Sequence, residues 1–226
     1  VELFGARNPA VAAAMGDIRA KLATSLPTVE TRDFVLRHKA AALIGLGTDE
    51  DMFLVNVGDG GDGKTCLSEL FAHALGSFAH RFDPGMLQGD TVNRSGGPRA
   101  NLVQFLGARF AYTSEMSYGD ADPAKIKQLT EGWNARALYS NDMLEIGCTW
   151  LASFDCNVLL QLFDPTDGTT RRLVVVRWGG LPDDVEPDPA YRRKCAYDRA
   201  YALAFLRILV DDGHVQHVLD HGLPRK

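Results

Sequence analysis

Eight consecutive residues carry the strongest chemical signal in this chain: Gly58-Asp59-Gly60-Gly61-Asp62-Gly63-Lys64-Thr65. They fit GxxxxGK[ST] at every fixed position, the spacing of a phosphate-binding loop. Glycines let the backbone curl until successive N–H groups converge on phosphate oxygens. A helix beginning at Lys64 aims its positive end at the same place. In such a loop the lysine reaches the β/γ-phosphates and the hydroxyl of Thr65 ligates Mg²⁺, so ATP and Mg²⁺ are the expected ligands. Cys66 follows directly and closes the binding segment. Asp59 and Asp62 are unusual in a loop made for anions. Each is expected to point outward or to meet the water shell of the metal.

Hydrolysis needs more than a phosphate cradle. A carboxylate at the tip of another strand must hold the metal's water shell and orient the attacking water. Arg109-Phe110-Ala111-Tyr112-Thr113-Ser114-Glu115 supplies Glu115, with Ser114 expected on the metal's water. Taken alone, Glu115 reads as a surface residue at a strand end; after a phosphate loop the functional reading is favoured. Asn157, closing Thr149–Asn157, is placed to hydrogen-bond a γ-phosphate or the attacking water, or else to make an Asx-turn. Arg171-Arg172 precedes a run of valines. Such a pair serves as an arginine finger in a neighbour's site, or as a charged strand edge.

These residues need strands and helices to hold them. Met52–Val57, Arg109–Ser114, Thr149–Asp155 and Arg172–Trp178 are short apolar runs of buried-strand type. Helices are expected from Asn8 to Leu26, with Asn8 as cap and Pro9 in the first position. Others are expected over Val29–Leu46 (buried side Phe34, Leu36, Ala41, Ile44), Lys64–Phe78, Asp122–Glu131 and Tyr191–Leu209, with a last piece to about Leu219. Residues 79–100 read as loop with one short strand. Ala135–Ile146 reads as a hairpin around Ser140-Asn141-Asp142, and 182–189 as an acidic connector. Strands alternating with helices indicate an α/β fold with a parallel sheet and helical additions at both ends.

Composition narrows the class. The chain has 226 residues, 46% hydrophobic and 23% charged, with a net charge of -5. These values exclude a disordered tail and a polybasic binder, but not a local basic groove. None of the four cysteines pair as CxxC, which argues against a zinc site and for a reducing, intracellular compartment. No apolar run approaches the ~18 residues of a membrane span. Val1 is not a start methionine, which suggests a piece of a longer protein. His214, His217 and His221 share a helical face, but a polar tail helix is the favoured reading.

Together the motifs resemble a superfamily 3 helicase domain, of the primase-helicase type of large DNA viruses, phages and related mobile elements. The resemblance runs from about Met52 to Trp178. Gly58–Thr65 resembles the family's first motif, with Asp62 in place of the usual Asn. Ala108–Glu115 resembles the second. Lys125-Ile126-Lys127-Gln128-Leu129-Thr130-Glu131-Gly132, then Ala135-Arg136, resembles the motif particular to the family. Phe154–Asn157 matches the third motif at its Asn, and Arg171-Arg172-Leu173 resembles the arginine pair before the last strand.

The resemblance implies an AAA+-like P-loop NTPase core over 48–180, between helical segments at 1–47 (a collar or interface) and 181–226. It implies a ring, usually hexameric, with ATP at subunit interfaces and single-stranded DNA in a central channel. It also implies 3′ to 5′ unwinding at a replication site, and a primase domain or protein as partner. Lys125, Lys127 and Arg136 are the candidates for gripping DNA, although Lys125 and Lys127 read equally as a solvated helix face. The alternatives are an ATP-binding assembly module and another AAA+ motor without unwinding activity.

Overall fold

In the computed structural model, residues 8–46, 51–88, 100–115, 121–136, 142–162, 166–180 and 188–223 are described. One local device starts several helices. Asn8 caps α1 (Pro9–Ser25), its Oδ1 accepting the Ala10 N–H at 3.0 Å, with Pro9 in the first turn. Asp122-Pro123 opens α5 and Asp188-Pro189 opens α7 in the same way. A short polar side chain accepts an orphan amide, and proline gives up an N–H that had no partner.

After α1 come α2 (Val29–Ile44), β1 (Phe53–Val57), α3 (Lys64–Leu75), β2 (Ala79–Arg81) and α4 (Ala100–Val103). β3 (Phe110–Ser114), α5 (Pro123–Glu131), β4 (Gly132–Arg136), β5 (Met143–Gly147) and β6 (Leu151–Cys156) follow. The chain continues through α6 (Asp167–Thr170), β7 (Leu173–Arg177), α7 (Pro189–Tyr197), α8 (Arg199–Asp211) and α9 (His214–His221).

The protein is α/β, as expected. Five strands form a sheet in the order β2-β3-β6-β1-β7. β1 pairs with β6, β6 with β3 and β3 with β2, all parallel. β1 is buried along its whole length and so is β6, which is why both read as continuous apolar runs. β4 and β5 form a separate antiparallel hairpin, with Trp133 opposite Ile146. Of its expected tip, Ser140 and Asn141 lie outside the described residues, as does most of the acidic connector.

The chain divides into two compact units. One comprises Val1–Ile44, Gly58–Gly76 and Val176–Lys226, the other Gly45–Val57 and Ser77–Val175. The phosphate loop and α3 thus cluster with the terminal helices, whereas the sequence reading grouped them with 48–180. In the first unit α1 packs on α8, α2 on α9, and α3 on α7 and α8. Phe71 and Phe205 meet edge to face there, their centroids 5.8 Å apart. In the second unit Phe105, Trp133 and Trp150 form the aromatic centre of the core. The Trp133 and Trp150 indole N–H groups donate to the carbonyls of Leu102 and Leu129.

Two expectations need correction. α2 buries Val35, Leu36, His38, Lys39 and Ala40–Ala42, while Phe34 and Ile44 are only half-buried. The helix is enclosed on more than one side, and the Lys39 ammonium lies 5.6 Å from the centre of the Phe71 ring. The expected Tyr191–Leu209 helix is two. Asp198 ends α7 through its N–H to Lys194 and starts α8 by accepting the Ala200 N–H at 2.8 Å.

Candidate functional site

The phosphate loop leaves the end of β1 and enters α3. Gly63, directly before Lys64, has φ +94°, a left-handed conformation that side chains rarely adopt. At Gly58 the constraint is space: a Cβ would collide with the Asp62 carboxylate and approach Trp178 Cβ to 2.9 Å. The loop therefore closes tightly on itself before α3 begins.

Lys64 is turned into this closed loop and is 5% exposed. Its Nζ donates to the carbonyls of Gly58 at 2.8 Å and Asp59 at 3.1 Å. It also donates to both carboxylate oxygens of Asp62, at 3.1 and 2.9 Å. Asp62 Oδ1 accepts the Lys64 backbone N–H as well, at 3.2 Å. Asp62 is thus buried and inward-facing, which corrects the first of its two expected placements, pointing outward. The reason is local: the Lys64 ammonium offers a full positive charge 2.9 Å from the carboxylate. Asp59 is exposed. Thr65 and Cys66 are half-buried, and burial pushes the Cys66 thiol up from its ordinary range.

The first helix supplies residues that sequence spacing did not flag. A Cβ on Gly63 would lie 3.1 Å from Lys21 Cε and 3.5 Å from Ser25 Oγ. Ser25 also accepts the Gly179 N–H through its carbonyl at 2.8 Å. Both residues precede the loop by roughly forty positions, and no local pattern links them to it.

In the other unit, β1, β6 and β3 end together. Val57 is level with Cys156, and Asp155 with Ser114. Asn157 and Glu115 each follow the end of a strand and are exposed. Among the described residues, Glu115 is the non-glycine residue with positive φ, at 53°. Its N–H donates to the Asp155 carbonyl at 2.9 Å. Ser114 Oγ accepts from the Arg81 guanidinium at 2.9 Å, so this hydroxyl has a protein partner where a metal-bound water was expected. Beneath the strand ends Asn56 donates to Asp155 Oδ1 at 2.7 Å and to Ser153 Oγ at 3.1 Å. This buried polar bridge ties β1 to β6. Its sequence signal was a polar residue near the end of each apolar run.

The arginine pair separates into two roles. Arg172 is 3% exposed and is held by Asp51 at 3.0 Å, Glu131 at 2.6 Å and the Gly168 carbonyl at 2.6 Å. In this chain the Arg172 guanidinium is engaged by its own chain, whereas the pair was expected to serve a neighbour's site. Arg171, which ends α6, is exposed. Of the candidate DNA contacts, Lys125 is half-buried on α5 and Lys127 is exposed. Lys127 lies 3.8 Å from Glu131, one helical turn on. Arg136 ends β4, opposite Met143. The His217 and His221 rings lie 4.8 Å apart, tilted to one another, and no metal-binding cluster occurs among the described residues. No helix among them is long and apolar enough to cross a membrane.

No protein-family model matches the chain. Over 160 residues it is 29% identical to a protein of Frog virus 3 (isolate Goorha) named "Putative helicase 022R", covering 68% of this chain and 16% of that one. The apo NrS-1 C-terminal region (305–718) superposes with a TM-score of 0.60 at 14% identity, over 88% of this chain and 47% of that one. Its A form gives 0.58 at 13%, over 83% and 43%. At these identities the structural likeness is one of fold, consistent with a P-loop NTPase-like architecture. The chain spans less than half of each relative.

Proposed function

We propose that this chain is the ATP-hydrolysing motor segment of a DNA helicase, working at subunit interfaces of a ring, usually hexameric, on single-stranded DNA. The observation that carries this reading is the buried Lys64 at the start of α3, in a loop continuing from β1, in a β2-β3-β6-β1-β7 sheet. Glu115 and Asn157 follow the ends of β3 and β6, and β6 is the strand beside β1. The similarity to a viral protein named as a helicase supports the same reading.

The residues fit a nucleotide. A glycine-lined turn, an N-terminal helix end and a buried ammonium are the donor set that phosphate oxygens require. When bound, ATP with Mg²⁺ supplies the phosphoanhydride to be cleaved and a cation that offsets its charge. The loop amides and Lys64 bind the phosphates, and the Thr65 hydroxyl is a ligand for the metal. The Glu115 carboxylate orients water and accepts its proton. The Asn157 amide fixes the same water or the terminal phosphate. Arg171, the exposed member of the pair, completes the site of the next copy. Lys125, Lys127 and Arg136 contact DNA phosphates. A primase domain or protein is the proposed partner.

Steady-state ATP hydrolysis, with and without single-stranded DNA and across protein concentration, tests this. The expected rate climbs more than linearly with protein, rises with DNA and collapses in Lys64→Ala. A measurable rate indifferent to both DNA and concentration would rule out the ring motor and leave an ATP-binding assembly module or a different AAA+ motor.

A further inference from the structure

Lys64 has three ammonium protons and no lack of acceptors. The carbonyls of Gly58 and Asp59 take part of its donor capacity, and the Asp62 carboxylate grips the rest with both oxygens. Both charged groups are almost completely removed from water. The carboxylate fills the space left by the missing Cβ of Gly58. A loop that binds anions therefore already holds one, and it is covalently part of the loop.

From this we infer that Asp62 is a specificity-setting residue of the nucleotide site. It occupies the place on Lys64 that a ligand's phosphate takes, and it must be displaced before that phosphate binds. The inference rests on the reading of the loop as a nucleotide site. A monovalent carboxylate held at short range competes poorly against the multiply charged end of a triphosphate. It competes well against weaker anions. A nucleoside monophosphate, whose single phosphate does not extend to Lys64, gains nothing from the exchange. Asp62 thus sets how much phosphate charge a ligand needs to engage the lysine. Asparagine at this position has the same shape and still accepts the Lys64 N–H, but carries no charge.

Equilibrium binding of ATP and of AMP to the full chain, in Mg²⁺ and separately in EDTA, is the test. Wild type, Asp62→Asn, Asp62→Ser and Lys64→Ala are compared, with circular dichroism confirming the fold of each. The expected result is ATP binding tighter by roughly tenfold or more in both neutral variants, the size of one charged hydrogen-bond pair. The gain appears in Mg²⁺ and in EDTA alike, and AMP binding does not move. Equal or weaker ATP binding in folded Asp62→Asn and Asp62→Ser overturns the inference. A loss confined to Mg²⁺ also overturns it, because Asp62 would then act on the cation. If wild type binds ATP, Lys64→Ala does not, and the Asp62 variants match wild type, the nucleotide site stands and only the inference fails. If no folded variant binds ATP, both fail.

Discussion

The carbonyl of Asp155 accepts the N–H of Glu115 at 2.9 Å, which holds Glu115 at φ 53° where the chain leaves β3. A left-handed backbone costs a side-chain-bearing residue roughly 1 kcal/mol. The glutamate side chain is exposed and repays none of this through burial. Glu115→Gly is therefore expected to leave stability level, or raise it by up to roughly 1 kcal/mol, in urea denaturation. Glu115→Gln is expected to fold normally and to lose hydrolysis by roughly a hundredfold or more, while still binding ATP. A variant that hydrolyses ATP at the wild-type rate would remove Glu115 from the chemistry.

Arg171 and Arg172 are expected to fail in different assays. Arg172→Ala removes a buried guanidinium from Asp51, Glu131 and a carbonyl, and is expected to cost about 1–3 kcal/mol. The lower part of that range allows for both carboxylates being about half-exposed and free to rehydrate. Arg171→Ala is expected to leave stability within about 0.5 kcal/mol and to lower hydrolysis in assembled protein. Mixing it with Lys64→Ala protein should restore part of the rate, because each supplies what the other lacks. No recovery on mixing would count against a finger acting between copies.

Stability should fall on mild acidification. Burial, aided by the neighbouring Lys39 charge, holds His38 well below its ordinary 6.5. Neither ring nitrogen has a hydrogen-bond partner among the described residues. The unfolded chain takes up a proton near pH 6.5 that the folded chain refuses. The His38 contribution is therefore complete above about pH 6.5 and declines as pH falls from there toward the folded-state value. The slope is up to about 1.4 kcal/mol per pH unit for one proton. Burial also lowers His214, which titrates in the same direction. Denaturation midpoints for His38→Leu should depend less steeply on pH than wild type, without becoming flat. Identical slopes would place the acid sensitivity elsewhere.

The hairpin is fastened at its base. Trp133 is 6% exposed, meets Phe105 edge to face and Trp150 at a tilt, and donates its indole N–H to the Leu102 carbonyl. Trp133→Ala is expected to cost about 3–5 kcal/mol, the range for a large buried aromatic. Met143→Ala, at an exposed position on the partner strand, should be nearly neutral. Thermal unfolding followed by fluorescence of the remaining tryptophans checks both.

What the sequence made legible was local. Asn8-Pro9 and Asp122 with Pro123 announce helix starts because cap and helix lie within three residues. The buried strands announce themselves because a strand covered on both faces must be apolar throughout. Where two partners are far apart, the reading failed. Arg172 looks like a charged strand edge until Asp51 and Glu131, 121 and 41 residues away, are seen to close on it. Lys21 and Ser25 come to the phosphate loop through packing of α1, which has no short-range signature. Asp62 is different. Its partner is two residues off, but which way the carboxylate turns depends on the curl of the loop. Asp198 escaped notice because the helical periodicity continues through it, and its capping bonds hide the break.

The interleaving of the two units has a consequence for how the chain is made. Arg19 pairs with Asp212, 193 positions later, and Asp17 accepts from Tyr201, 184 positions later. Helix α1 is thus completed by helices synthesised much later. Until then the apolar side of α1, with Val11, Ile18 and Leu22, has no finished partner surface. Its nascent state is the interval in which a chaperone or a neighbouring nascent chain can occupy that side. A cut within 45–175 severs both units, so neither can be recovered as one uninterrupted fragment.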